Sequence, residues 1–194
     1  SQTGEILAMI AGRDANTHGF NRAISTKRSI GSVIKPVTIL TALQAGMDLT
    51  DFVGDKEITL QSESGQVWSP KNFDGKTNGV VPLYLALNRS LNLAMVNLGV
   101  TLGLEEVQKQ FERLTGRKPR NQFPSFLLGA EPMSPIEVSE LYSNFASGGF
   151  NLKPKAVIGV LDSAGAPLSH HSIVLKQTIN PVISNTLNRS LELT

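Results

Sequence analysis

Short apolar runs, broken by turn residues, alternate between strand-like and helix-like periodicity along this chain. Residues Gly4 to Ile10 read as a strand of short apolar residues, closed by Ala11-Gly12. Asp14, Asn16, Gly19, Asn21, Ser25, Thr26 and Ser29 cluster between Arg13 and Gly31, which predicts a loop. From Ser32 to about Ala45 the spacing of Ile34, Val37, Thr38 and Ala42 predicts a helix, ended by Gly46. Residues Asp48 to Gly79 are mixed and polar, with one short strand expected at Glu57 to Leu60. Two apolar helices follow, Val81 to Leu87 and Asn92 to Leu102, with a break at Arg89 to Leu91. Gly103-Leu104-Glu105-Glu106 opens a third, Val107 to Thr115. Ser134-Pro135-Ile136-Glu137 is a helix start, and that helix should run to about Ser147, before Gly148-Gly149. Ala156 to Leu161, a turn at Asp162 to Gly165 and the run from Pro167 predict a β-hairpin, and Pro181 to Leu193 a final amphipathic helix. Strands at both ends of a helical middle predict an α+β layered domain.

Composition narrows the chemistry. The chain has 194 residues, 40% of them hydrophobic and 18% charged, enough for a globular domain or part of a larger one. With 18 basic and 16 acidic residues the net charge is +2, and no basic run interleaved with aromatics argues for nucleic acid. Cysteine is absent, which removes disulfides, zinc–thiolate sites and cysteine nucleophiles together. His18, His170 and His171 are too few and badly spaced for a metal site, no phosphate-binding glycine loop is present, and no cofactor is expected. The chain begins at Ser1, and no stretch is apolar and long enough to span a bilayer, so any targeting or anchoring segment is expected outside it.

Two short patterns can carry catalysis. In Ser32-Val33-Ile34-Lys35 a helix places Lys35 on the same face as Ser32. A serine hydroxyl needs a base, and a lysine amine serves if burial or a neighbouring cation lowers its pKa. A helix start adds partial positive charge and free N–H groups, which favour a developing oxyanion. Alone, Ser-x-x-Lys is weak, because it arises by chance about once in a chain of this size. The plainer reading is an N-cap serine with a solvated lysine. In Ser90-Leu91-Asn92 a spacing of two joins side chains only on a tight turn, and the predicted break between helices supplies one. Ser90 can relay a proton there and Asn92 can donate and accept; an ordinary capped helix connection is the alternative.

Together the two patterns resemble the penicillin-recognising serine enzymes, whose signature is Ser-x-x-Lys, Ser-x-Asn and Lys-Thr-Gly. Gly19-Phe20-Asn21-Arg22-Ala23, followed by Arg28-Ser29-Ile30-Gly31-Ser32-Val33-Ile34-Lys35-Pro36, looks like the nucleophile region of class A penicillin-binding proteins, closest to the 1B type. Gln66-Val67-Trp68-Ser69-Pro70-Lys71-Asn72-Phe73 resembles the loop before the second motif, and Ala86-Leu87-Asn88-Arg89-Ser90-Leu91-Asn92 the motif itself. Leu127-Leu128-Gly129-Ala130, Ser134-Pro135-Ile136-Glu137-Val138 and Ala146-Ser147-Gly148-Gly149 resemble the stretch beyond, in the same order.

The resemblance implies a penicillin-binding, serine β-lactamase-like α+β fold, an antiparallel sheet flanked by helices. Residues 1–194 would form the N-terminal two-thirds of a transpeptidase domain, ending before the Lys-Thr-Gly strand. Gly75-Lys76-Thr77-Asn78-Gly79 precedes the second motif and reads as a decoy in a loop. The implied activity is peptidoglycan cross-linking: Ser32 attacks a D-Ala-D-Ala bond, Lys35 is the base, Ser90 passes the proton to the leaving group, and Asn92 bonds Lys35 or the donor amide. Implied partners are stem peptides as donor and amine acceptor, β-lactams as inhibitors, and wall-synthesis proteins. The implied location is the periplasmic face of the bacterial inner membrane, with an anchor and a glycosyltransferase domain outside this chain. Without its third motif the chain alone is expected to be inactive. A β-lactamase-type Glu-x-x-Leu-Asn element is lacking, which favours a synthase. Alternatives are a DD-carboxypeptidase or β-lactamase of the same superfamily, and a non-catalytic penicillin-recognising sensor or scaffold.

Overall fold

The computed structural model describes residues 3–13, 19–62, 65–170 and 175–193. His18 and His171 lie outside these residues. Seven helices are present among them: α1 (Arg22–Ser25), α2 (Lys35–Gln44), α3 (Leu83–Asn88), α4 (Asn92–Leu102), α5 (Leu104–Thr115), α6 (Pro135–Ala146) and α7 (Pro181–Leu191). The strands are β1 (Arg28–Ser29), β2 (Phe52–Asp55), β3 (Leu60–Gln61), β4 (Val67–Trp68), β5 (Gly79–Pro82), β6 (Pro132–Met133), β7 (Phe150–Asn151), β8 (Gly159–Leu161), β9 (Pro167–His170) and β10 (Lys176–Gln177). They pair antiparallel as β1-β6, β2-β5, β3-β4, β7-β10 and β8-β9, giving five separate two-stranded ribbons rather than one continuous sheet.

The core forms around α2 and α4. Helix α2 is buried from Lys35 to Leu43, so its apolar residues have no solvent-facing stripe to leave. Leu93, Ala94, Met95, Val96 and Leu98 of α4 are buried beside it, and Phe111 and Leu114 of α5 complete the packing. Phe111 meets Phe126 edge to face, with ring centroids 5.5 Å apart. Helix α6 begins as expected. Ser134 and Glu137 form a reciprocal capping box, and Pro135 occupies the first turn, where a missing N–H costs nothing.

Four expectations are corrected. The first is the strand at Gly4 to Ile10, where only Glu5 bridges, in parallel, to Lys155. Residues Leu7 and Ile10 remain 80% and 84% exposed. Apolar composition makes a strand only where a distant segment offers a backbone edge. The second is the strand at Glu57 to Leu60, which is displaced: the ladders lie at Phe52–Asp55 and Leu60–Gln61. Asp55 is buried in β2, and a buried charge breaks the apolar alternation by which that strand would be read. The third is the loop between Arg13 and Gly31, which contains α1, capped by the Asn21 side chain accepting from the Ala23 and Ile24 N–H groups, and β1. The fourth is the helix predicted from Ser32, which starts as a 3₁₀ turn, Gly31–Ile34, and becomes α-helical at Lys35.

Candidate active site

Ser32 is exposed on the 3₁₀ turn, one turn ahead of α2. Lys35 follows one turn on, with 1% of its surface exposed, and its backbone N–H bonds the Ser32 carbonyl. The turn is braced from behind. Ile30 and Gly31 donate backbone N–H bonds to the Glu131 and Gly129 carbonyls, both at 3.1 Å. The Tyr142 hydroxyl donates to the Val33 carbonyl at 3.0 Å. Glu131 is itself fully buried and is held by Arg117 at 2.7 Å and by the Arg120 and Asn121 N–H groups.

The three protons of the Lys35 ammonium are all engaged. They go to the Ser90 carbonyl at 2.6 Å, Ser90 Oγ at 2.9 Å and Asn92 Oδ1 at 2.7 Å. Three of the four sequence-predicted residues therefore meet directly, and the two-residue spacing of Ser90 and Asn92 closes because the chain turns between α3 and α4. Ser90 makes that turn with φ at 52°. The fourth, Ser32, is apart from them: among the described residues none hydrogen-bonds its hydroxyl.

Burial lowers the Lys35 amine from 10.5 to about 8. At neutral pH the charged form still predominates, and the three acceptors suit it. On losing a proton the amine gains a lone pair, which Ser90 Oγ–H at 2.9 Å can then satisfy. The amine is thus placed to exchange a proton with Ser90 Oγ. Residues 75–78 form a loop and Gly79 begins β5; among the described residues no hydrogen bond joins this segment to the Lys35 amine.

A second polar cluster was not singled out from the sequence. Asn92 Nδ2 donates to the Lys71 carbonyl at 2.9 Å. The next residue, Asn72, accepts the Leu93 N–H at 3.0 Å and donates to both Asp55 carboxylate oxygens at 2.9 Å. Asp55 also accepts from the Ala94 N–H at 3.1 Å and from the Asn78 N–H and Nδ2 at 2.9 and 2.6 Å. The signal for it lies in the helix start. Leu91 at the N-cap has no side chain to cap α4, so the orphan N–H groups of its first turn need partners from elsewhere. Among the described residues no cluster of three or more metal-ligating side chains exists.

Residues 1–193 match the family described as penicillin binding protein transpeptidase domain. The chain is 40% identical to penicillin-binding protein 1B of Escherichia coli strain K12 over 171 residues, 86% of this chain and 20% of that protein. It spans about a fifth of the length of the curated relatives it matches. The crystal structure of penicillin-binding protein 1A from Haemophilus influenzae is similar, with a TM-score of 0.74 and 28% identity over 81% of this chain and 24% of that one. The same fold occurs in penicillin-binding protein A from M. tuberculosis, solved as an imipenem acyl-enzyme complex, with a TM-score of 0.76 and 20% identity over 90% of this chain and 46% of that one. Its matched family, its 1B- and 1A-type relatives and its α+β fold agree, and the chain belongs to the penicillin-binding protein transpeptidase domain family.

Proposed function

We propose that this chain is part of a serine DD-transpeptidase that cross-links peptidoglycan stem peptides and is acylated by penicillin. The observation that carries the reading is the buried Lys35 amine, bonded to Ser90 Oγ and Asn92 Oδ1, one turn along the chain from an exposed Ser32. Ser32 Oγ attacks the carbonyl carbon of the penultimate D-Ala, and its proton passes to Lys35. The C–N bond then breaks, and Ser90 delivers a proton to the departing D-Ala amine, replenished from Lys35. An acceptor amine attacks the resulting ester, its proton returns to the base, and Ser32 is released with its own proton restored. Asn92 holds Lys35 through Oδ1.

A Lys-Thr-Gly strand, following the residues described here, would complete the wall of the cleft and the oxyanion hole. Residues 1–194 are accordingly the N-terminal two-thirds of the domain in this reading. The reaction places the protein at the outer face of the bacterial cytoplasmic membrane, where stem peptides are found. Among the described residues no helix is long and apolar enough to cross a membrane.

The intact protein, given a donor ending in D-Ala-D-Ala and an amine acceptor, tests the reading. Release of D-Ala with a cross-linked product, blocked by penicillin, is the expected result. Hydrolysis without cross-linking, or rapid turnover of a chromogenic β-lactam, would overturn the transferase assignment.

A further inference from the structure

Asn92 can hold Lys35 only in one orientation of its amide. With Oδ1 toward the ammonium it accepts a proton; flipped, it would present a donor to a donor. The partner that decides between the two is the Lys71 carbonyl, which takes Nδ2 at 2.9 Å and cannot accept from an oxygen. Orientation at the base therefore depends on where the Lys71 carbonyl is held.

The Lys71–Asn72 peptide is held by a clasp. Asn92 Nδ2 bonds the Lys71 carbonyl, and one residue along each segment the Leu93 N–H bonds Asn72 Oδ1 at 3.0 Å. These bonds tie the loop to the first turn of α4 at two adjacent points. The clasp also has a fixed polarity. Asn72 Nδ2 donates to both oxygens of the fully buried Asp55 and to the Lys76 carbonyl at 2.8 Å, so Asn72 Oδ1 is left facing Leu93. The same carboxylate accepts the Ala94 N–H at the positive end of the helix, which fixes α4 against β2. The order of dependence runs from Asp55 to Asn72, to the Lys71 carbonyl, to Asn92 and to Lys35.

We propose that Asn72 and Asp55 are positioning residues for catalysis, acting through Asn92 to orient the Lys35 amine toward Ser32 and Ser90. This rests on the proposed roles of Ser32 and Lys35.

The test is a double-mutant cycle on the intact protein, with the rate constant for acylation by a fluorescent penicillin as readout. Asn72→Ala, and separately the isosteric Asp55→Asn, are made alone and combined with Asn92→Ala. Each alone should slow acylation about ten-fold, the scale expected of a small displacement of a reacting group. In the Asn92→Ala background each should cost less than about two-fold, because the path to Lys35 is already cut. Residues that only stabilise the fold would cost the same factor in both backgrounds, and that result overturns the proposal. So does a single variant that acylates at the wild-type rate. If Asn72→Ala does not fold, Asp55→Asn carries the cycle, since it keeps the shape and the acceptor for Ala94. Wild-type protein that takes no penicillin at all overturns the Ser32 reading itself, a failure distinct from an additive cycle on a labelled wild type.

Discussion

The Lys35 amine lies 2.9 Å from Ser90 Oγ, and Ser90 is the one non-glycine residue among those described with a positive φ, at 52°. A strained backbone carries the hydroxyl that the buried amine touches. Left-handed geometry costs a residue with a Cβ about 1 kcal/mol, and a turn that keeps it has a reason to do so. The strain and the proposed proton relay can therefore be separated by substitution. Ser90→Gly and Ser90→Ala should both slow acylation by about a hundred-fold, the size of one general acid–base contribution. Ser90→Gly should nevertheless be more stable to urea than Ser90→Ala by about 1 kcal/mol, because only glycine escapes the strain. A glycine variant less stable than the alanine variant would contradict this account of the turn.

The buried amine makes activity and stability depend on pH in related ways. Acylation should rise with pH to a plateau above about 8, the value to which burial lowers Lys35, as the neutral amine becomes available. Below pH 8 the folded and unfolded chains both carry the proton, and the folded one bears the cost of a buried charge. Between about 8 and the ordinary 10.5 the unfolded chain holds a proton that the folded chain lacks, so stability due to Lys35 rises with pH. The full gain is about 3 kcal/mol. Urea titrations of wild type and Lys35→Met across this window should show wild type gaining on the variant. A gap independent of pH would contradict the lowered pKa.

The turn bearing Ser32 is fitted against Gly129 without room to spare. A Cβ at Gly129 would lie 2.0 Å from the Gly31 carbonyl oxygen and 2.4 Å from its nitrogen, at a φ of +79°. Gly31 itself has φ +58° but open space around it. Gly129→Ala should therefore cost more than about 2 kcal/mol and slow acylation by moving Ser32, whereas Gly31→Ala should cost about 1 kcal/mol for its backbone alone. Equal losses in urea denaturation would show that the close contact does not matter.

Much of the site was legible in the sequence. Local spacing put Lys35 one turn from Ser32, and the break between two apolar helices predicted the turn on which Ser90 and Asn92 converge. What escaped depended on distant partners. Asp55 lies 17 residues from Asn72, 23 from Asn78 and 39 from Ala94, and no periodicity reports such contacts. The segment Gly4 to Ile10 carried strand composition without an edge to pair along, apart from the bridge at Glu5. The loop before β5 reads as a decoy in sequence, and its Asn78 bonds Asp55, a contact 23 residues apart that no local pattern reports.

The most direct test is mass spectrometry of the intact protein after treatment with penicillin, followed by peptide mapping. A single penicilloyl adduct on Ser32, absent from Ser32→Ala and slow to form in Lys35→Ala, is the predicted result. An undiminished adduct on Ser32→Ala, or none on the wild type, would contradict it.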